Sequence, residues 1–273
     1  MLVLLLLFHY YCTATTPTNH TTITTNNSLL TPSPRLSLRY RFEATMAALH
    51  AEVGDGAAGE TYAAAAARRK VAFDEVLWDD GQAQWRDWDL EREQPIARGG
   101  ASKVPVASNF LPLWAGAYDK EDATQAGRAI AALAGSGLVQ PGGVLTTLEE
   151  GTGQQWDAPN GWAPLQHLIT VGLSETGLAS GKLLAQSIVD RWVNNNYAAY
   201  AATGAMHEKL DVMAFGEGAG GGGEYEAQVG FGWSNGVILS MLERYGGGMS
   251  LKQWDAHVAS ERAEKNKPPQ PRA

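Results

Sequence analysis

The run Gly220–Gly223, inside the stretch Met206–Gly236 (MHEKLDVMAFGEGAGGGGEYEAQVGFGWSNG), excludes a helix from this part of the chain. Each internal glycine costs a helix roughly 1 kcal/mol against alanine, so four in succession break one. Such a run suits backbone that passes close to another group or takes a positive φ. Its neighbours are chemically rich. Glu208 sits in a His-Glu-Lys-Leu-Asp cluster before the run and Glu224 follows it directly. Gln228, Phe231, Trp233 and Asn235 come next. Carboxylates for acid/base work, amides, and flat rings for the apolar face of a sugar are the materials of a carbohydrate site. A solvated linker tolerates the same glycines, but a linker does not spend Phe231 and Trp233 on water. A phosphate-binding loop does not fit, because no Lys-Ser/Thr follows the run.

Composition narrows the class. The 273 residues are 44% hydrophobic and 18% charged, which suits a globular chain with a substantial core. A net charge of -8 argues against nucleic acid as a partner, since a phosphate backbone needs a basic patch. The single cysteine, Cys12, leaves no intramolecular disulfide. The six histidines show no HExxH spacing. No metal and no cofactor are expected.

Residues 1–18 begin MLVLLLLF and resemble a secretory signal peptide, too short to span a bilayer. If it is one, the protein is secreted. Residues 19–55 are expected to be a disordered leader, rich at first in Thr, Asn, Pro and Ser. That leader holds the acceptor sequons Asn19-His20-Thr21 and Asn26-Asn27-Ser28. A folded domain is expected over 56–247, and a peripheral helix with a disordered tail over 248–273. Within the domain the pattern is helical. Helices are expected from the alanine run near Thr61, over Asp122–Leu133 with Asp122 as N-cap, over Ala163–Leu173, over Ala179–Tyr200 and over Asn235–Tyr245. Leu184, Ile188 and Trp192 recur on one face of the longest. Strand signals are few, and helix pairs joined by long loops suggest an all-α toroid or solenoid.

A second constellation, Gln155-Trp156-Asp157-Ala158-Pro159-Asn160-Gly161-Trp162-Ala163-Pro164, leads into the Ala163 helix. It reads equally as a Pro-capped helix start or as a ligand loop. This segment resembles the second signature of the trehalases, glycoside hydrolase family 37. Gly220–Gly236 resembles their glycine-rich signature. Ala107–Gly116, Val76–Asp79 and Trp85–Leu90 are similar to further segments of that family, in the same order.

The resemblance implies part of an (α/α)6 toroid, with about half of the family's helices, and hydrolysis of α,α-trehalose to glucose with inversion. Inversion needs a general acid and a general base, with carboxyl groups ~6.5–9.5 Å apart to admit water. The family's base opens a Glu-Lys-Tyr-Asp-Val segment. Here that segment is Glu208-Lys209-Leu210-Asp211-Val212, so the base maps onto Glu208 and Leu210 replaces the aromatic. Glu224 maps onto a substrate-contacting acid, and Trp156, Asp157 and Trp162 are expected beside the substrate. The family's first signature finds no match, and neither does the Gly-Trp-Asp segment carrying the general acid. The chain is therefore expected to be a truncated trehalase, inactive or nearly so. A non-catalytic sugar-binding protein is the alternative.

Overall fold

The computed structural model describes residues 30–31, 33–90, 92–96, 105–216, 218–223 and 228–250, with positions 252, 255, 256 and 259 beyond them. The signal-like segment, both sequons and most of the C-terminal segment lie outside the described residues. So does Glu224.

The fold is mainly helical. Its helices are α1 (Ser33–Glu52), α2 (Gly56–Ala72), α3 (Leu111–Ala115), α4 (Thr124–Gly135), α5 (Ala163–Glu175), α6 (Ala179–Thr203) and α7 (Gly232–Tyr245). α1 packs on α2 and α3, α5 on α3, α6 and α7, and α4 on α6. Local chemistry sets several ends. Asp55 accepts a hydrogen bond from the Ala58 N–H at the start of α2 (3.3 Å). Pro164 sits in the first turn of α5, where its missing N–H costs nothing. α6 stops at Gly204, which takes the left-handed conformation (φ 71°). Asp122, expected as the N-cap, lies one position before the observed one, Ala123. α4 begins at Thr124, and the Asp122 carboxylate accepts from its N–H (2.9 Å).

α1 corrects the expected leader, because Ser33–Glu52 is helix within the segment read as disordered. Leu36, Leu38 and Tyr40 pack against the core, and polar contacts fasten the helix as well. The buried Ser33 donates its N–H to Asp87 Oδ1 (2.8 Å). Arg69 of α2 makes a two-pronged ion pair with Glu43 (2.9 and 2.7 Å). Arg41 donates to the Trp114 carbonyl and to Glu175 of α5, and its guanidinium lies over the Trp114 ring.

Among the described residues the core is one cluster. Phe73, Leu77, Trp85 and Phe110 meet Leu133, Leu168, Ile188 and Trp192 there, all nearly or fully inaccessible. The expected face of α6 is confirmed: Ile188 and Trp192 are buried, and Leu184 packs against the cluster. α5 crosses α3 so closely that a Cβ on Gly172 would lie 2.8 Å from the Trp114 Cα.

The strands are two or three residues long and belong to the connections. They are β1 (Leu30–Thr31), β2 (Trp78–Asp79), β3 (Gln84–Trp85), β4 (Trp88–Asp89), β5 (Gln94–Pro95), β6 (Val139–Gln140), β7 (Gly143–Val144), β8 (Asn160–Trp162) and β9 (Lys209–Asp211). All pair antiparallel, in the order β1-β4-β5, β2-β3, β6-β7 and β8-β9.

Candidate active site

The connections form a continuous hydrogen-bonded rim that gathers the sequence motifs. Asn109 donates its side-chain amide to Gln84 Oε1 (3.1 Å), joining the Trp85 segment to Ala107–Phe110. The Ala107 N–H donates to the Thr146 carbonyl (3.0 Å), and the Thr146 N–H donates to the Asn160 carbonyl (3.3 Å). β8 then pairs with β9, with Trp162 opposite Lys209, Gly161 opposite Leu210 and Asn160 opposite Asp211. On its other edge β9 meets the glycine-rich segment. The Gly220 N–H donates to Lys209 O (3.1 Å) and the Asp211 N–H to Gly218 O (3.3 Å). The Glu208 N–H donates to Gln228 O (2.8 Å), and the Gly230 N–H to Met206 O (2.8 Å).

This ribbon explains the glycines. A Cβ on Gly220 would collide with Asn160 Oδ1, so only glycine lets the run lie flat against β8. Asn160 fastens the contact, donating its side-chain amide to Gly221 O (2.9 Å) and Asp157 O (3.0 Å). Gly223 has φ 97°, the second condition that favours the run.

Glu208 is buried, 5% exposed, and its Oε2 accepts from the Gln228 N–H (3.3 Å). Its strand neighbour Lys209 is also buried. The Lys209 ammonium donates to Gly221 O (2.9 Å) and Gly222 O (2.7 Å) and lies 5.5 Å from the centre of the Trp162 ring. Burial holds the Lys209 amine below its ordinary range, and the Glu208 charge pulls the other way. His207, before Glu208, is also held low by burial.

Four rings form a row beside the ribbon. Trp156 and Trp162 lie 4.7 Å apart, Trp162 meets Trp233 edge-on at 6.0 Å, and Phe231 stacks on Trp233 at 4.6 Å. Trp162 is only 2% exposed and belongs to the core, whereas Trp156 and Phe231 keep part of their surface open. Of the two tryptophans expected beside a ligand, Trp156 is partly exposed and Trp162 lies buried against it.

Asp157 is buried and braces its own loop. Its Oδ1 accepts from the Thr152 hydroxyl (2.6 Å) and its Oδ2 from the Thr152 N–H (2.7 Å). A carboxylate engaged through both oxygens is poorly placed to hand over a proton.

Several residues with no sequence signal hold the site from behind. Asn195 on α6 donates to Asp211 O (2.9 Å) and accepts from the Gly216 N–H (2.8 Å). Gln166 on α5 accepts from the Val144 N–H (2.8 Å) and donates to its carbonyl (2.7 Å), taking the place of a neighbouring strand. Polar residues inside otherwise apolar helices were the available hint. Among the described residues no group of three or more His, Cys, Asp or Glu could hold a metal ion, and no helix is long and apolar enough to cross a membrane.

The comparisons with known proteins agree with these motifs. The Trehalase family model matches residues 14–246, so the similarity starts well before the alanine-rich helix. The chain is 46% identical over 205 residues to a probable trehalase of Oryza sativa subsp. japonica, covering 71% of this chain and 36% of that protein. It is 41% identical over 213 residues to a trehalase of Arabidopsis thaliana, covering 76% and 32%. Among solved structures it superposes on neutral trehalase Nth1 from Saccharomyces cerevisiae with TM-score 0.62 and 25% identity, covering 79% of this chain and 38% of that one. The chain thus spans about a third of the length of the curated relatives it matches.

Proposed function

The chain belongs to the trehalase family, and we propose that its site is built to bind α,α-trehalose and to supply the base half of an inverting hydrolysis. In this reading Glu208 is the general base. It draws a proton from a water that attacks the anomeric carbon from the face opposite the leaving glucose. Trp156 lies along the sugar's apolar face, Trp162 supports it, and Glu224 takes a sugar hydroxyl. Asp157 serves by shaping the loop that presents Trp156.

The observation that carries the reading is the β8–β9 pairing. It sets the strand following Glu208 directly against the strand ending in Trp162. Two motifs far apart in sequence thereby become one surface with a carboxylate, aromatic rings and tight glycine backbone.

The bridging oxygen must also be protonated as it leaves. The family's acid lies in a Gly-Trp-Asp segment with no match in this sequence, and Asp157 is occupied by Thr152. Loss of a positioned acid costs roughly 10²–10⁴-fold. The chain by itself is therefore proposed to bind trehalose and to turn it over slowly or not at all. Glucose release from trehalose, measured beside Glu208→Gln, tests the assignment. Any hydrolysis should vanish in the variant, and NMR should show one of the two glucoses released as the β anomer. Hydrolysis that persists unchanged in Glu208→Gln would remove Glu208 from the base role.

A further inference from the structure

We infer that Lys209 is a positioning residue of this site, holding the glycine-rich run in the shape the site needs. The inference deepens the proposed reading and rests on it for the ligand. The geometry stands independently. Lys209 is 3% exposed, unusual for lysine, and is therefore expected to have partners. Its ammonium contacts the carbonyls of Gly221 and Gly222 and lies over Trp162, the residue opposite it in the β8–β9 register. Three segments therefore converge on one charge.

The two carbonyls explain why a cation is useful there. Packing around its Cα does not fix Gly221, since a Cβ built on it would meet nothing within 4 Å. Four glycines also lose more conformational freedom on ordering than any other four residues. Asn160 and Lys209 counter that loss with hydrogen bonds, and a charged donor contributes more than a neutral one. The residue just before β9 works in parallel: Glu208 accepts from the Gln228 N–H at the far side of the same segment. Glu208 and Lys209 thus hold backbone on either side of Glu224 in the sequence. A neutral residue of similar length at 209 would keep the strand pairing and lose the hold on the run.

Amide hydrogen exchange on the whole chain tests this with Lys209→Met and Lys209→Arg, alongside trehalose binding by calorimetry. In Lys209→Met, exchange over Gly218–Gly223 is expected to rise about tenfold or more while α6 stays as protected as in the wild type. Trehalose affinity should fall by a similar factor, and Lys209→Arg should restore part of both. Wild-type protection of Gly218–Gly223 in Lys209→Met would overturn the inference. So would a uniform loss of protection that Lys209→Arg does not repair, because Lys209 would then be a general stability residue. A loosened run with unchanged trehalose affinity would overturn the positioning role as well. If the wild type binds no trehalose, the proposed function fails, while the exchange pattern still decides whether Lys209 holds the run.

Discussion

Individual residues in this protein are often defined by what their burial does to charge. His167 on α5 is half-buried, and desolvation holds its imidazole below the ordinary value of 6.5. Arg244 adds to the effect and Glu175 opposes it. Folding therefore favours the neutral ring. Its contribution to stability is complete above a pH of about 6.5 and is lost as the pH falls through the lower folded-state value. A series of urea midpoints between pH 7.5 and 5 should show a steeper loss in the wild type than in His167→Gln. Gly220 is defined by the opposite property, having no side chain at all. Gly220→Ala drives a methyl group into Asn160 Oδ1. It should cost about 1–3 kcal/mol in chemical denaturation and weaken trehalose binding, with α6 remaining folded by circular dichroism.

Secondary-structure elements show where sequence reading succeeds. α5 and α6 were legible because apolar residues recur at helical spacing and a proline or glycine marks an end. The motif segments carrying Glu208 and Trp162 stand out in the sequence, although nothing in it shows that β8 and β9 pair. α1 was not legible, since Leu36, Leu38 and Tyr40 form no helical-period stripe and Arg41, Ser33 and Glu43 attach it through polar contacts. Asn195 and Gln166 were missed for the same reason: an amide side chain bonding a distant backbone has no spacing rule. Two element-level tests follow. Asn195→Ala strips a buried donor from Asp211 O and an acceptor from Gly216 N. It should cost about 1–3 kcal/mol and raise exchange near Asp211–Gly216 before it affects α1 or α2. Gly172→Ala would gain up to roughly 1 kcal/mol from helix propensity. The new methyl presses on the Trp114 backbone, which cannot rotate away, and overpacking costs typically 1–3 kcal/mol. Net destabilisation by thermal melting is the expected result.

For the whole molecule, apolar residues lie on both the inner and the outer faces of the helices. Ile188 is fully buried, whereas Leu183 on the same helix is 73% exposed, as is Leu239 on α7 at 68%. Leu183→Lys and Leu239→Lys should change stability by no more than about 0.5 kcal/mol, and Ile188→Lys should prevent folding, as read by fluorescence and sedimentation. The rim of connections has a bearing on synthesis. It links Gln84, Asn109, Thr146, Asn160 and Gly221 through bonds of which the longest in sequence, Asn160 to Gly221, bridges 61 residues. Contacts of such long sequence separation are slow to form. On the ribosome, Trp85 and Trp162 emerge well before the glycine-rich run that completes the ribbon. Until Lys209–Asp211 and that run arrive, Asn160–Trp162 lacks its β9 partner, and the nascent chain passes through a period in which a chaperone or a stray strand could occupy the place of β9.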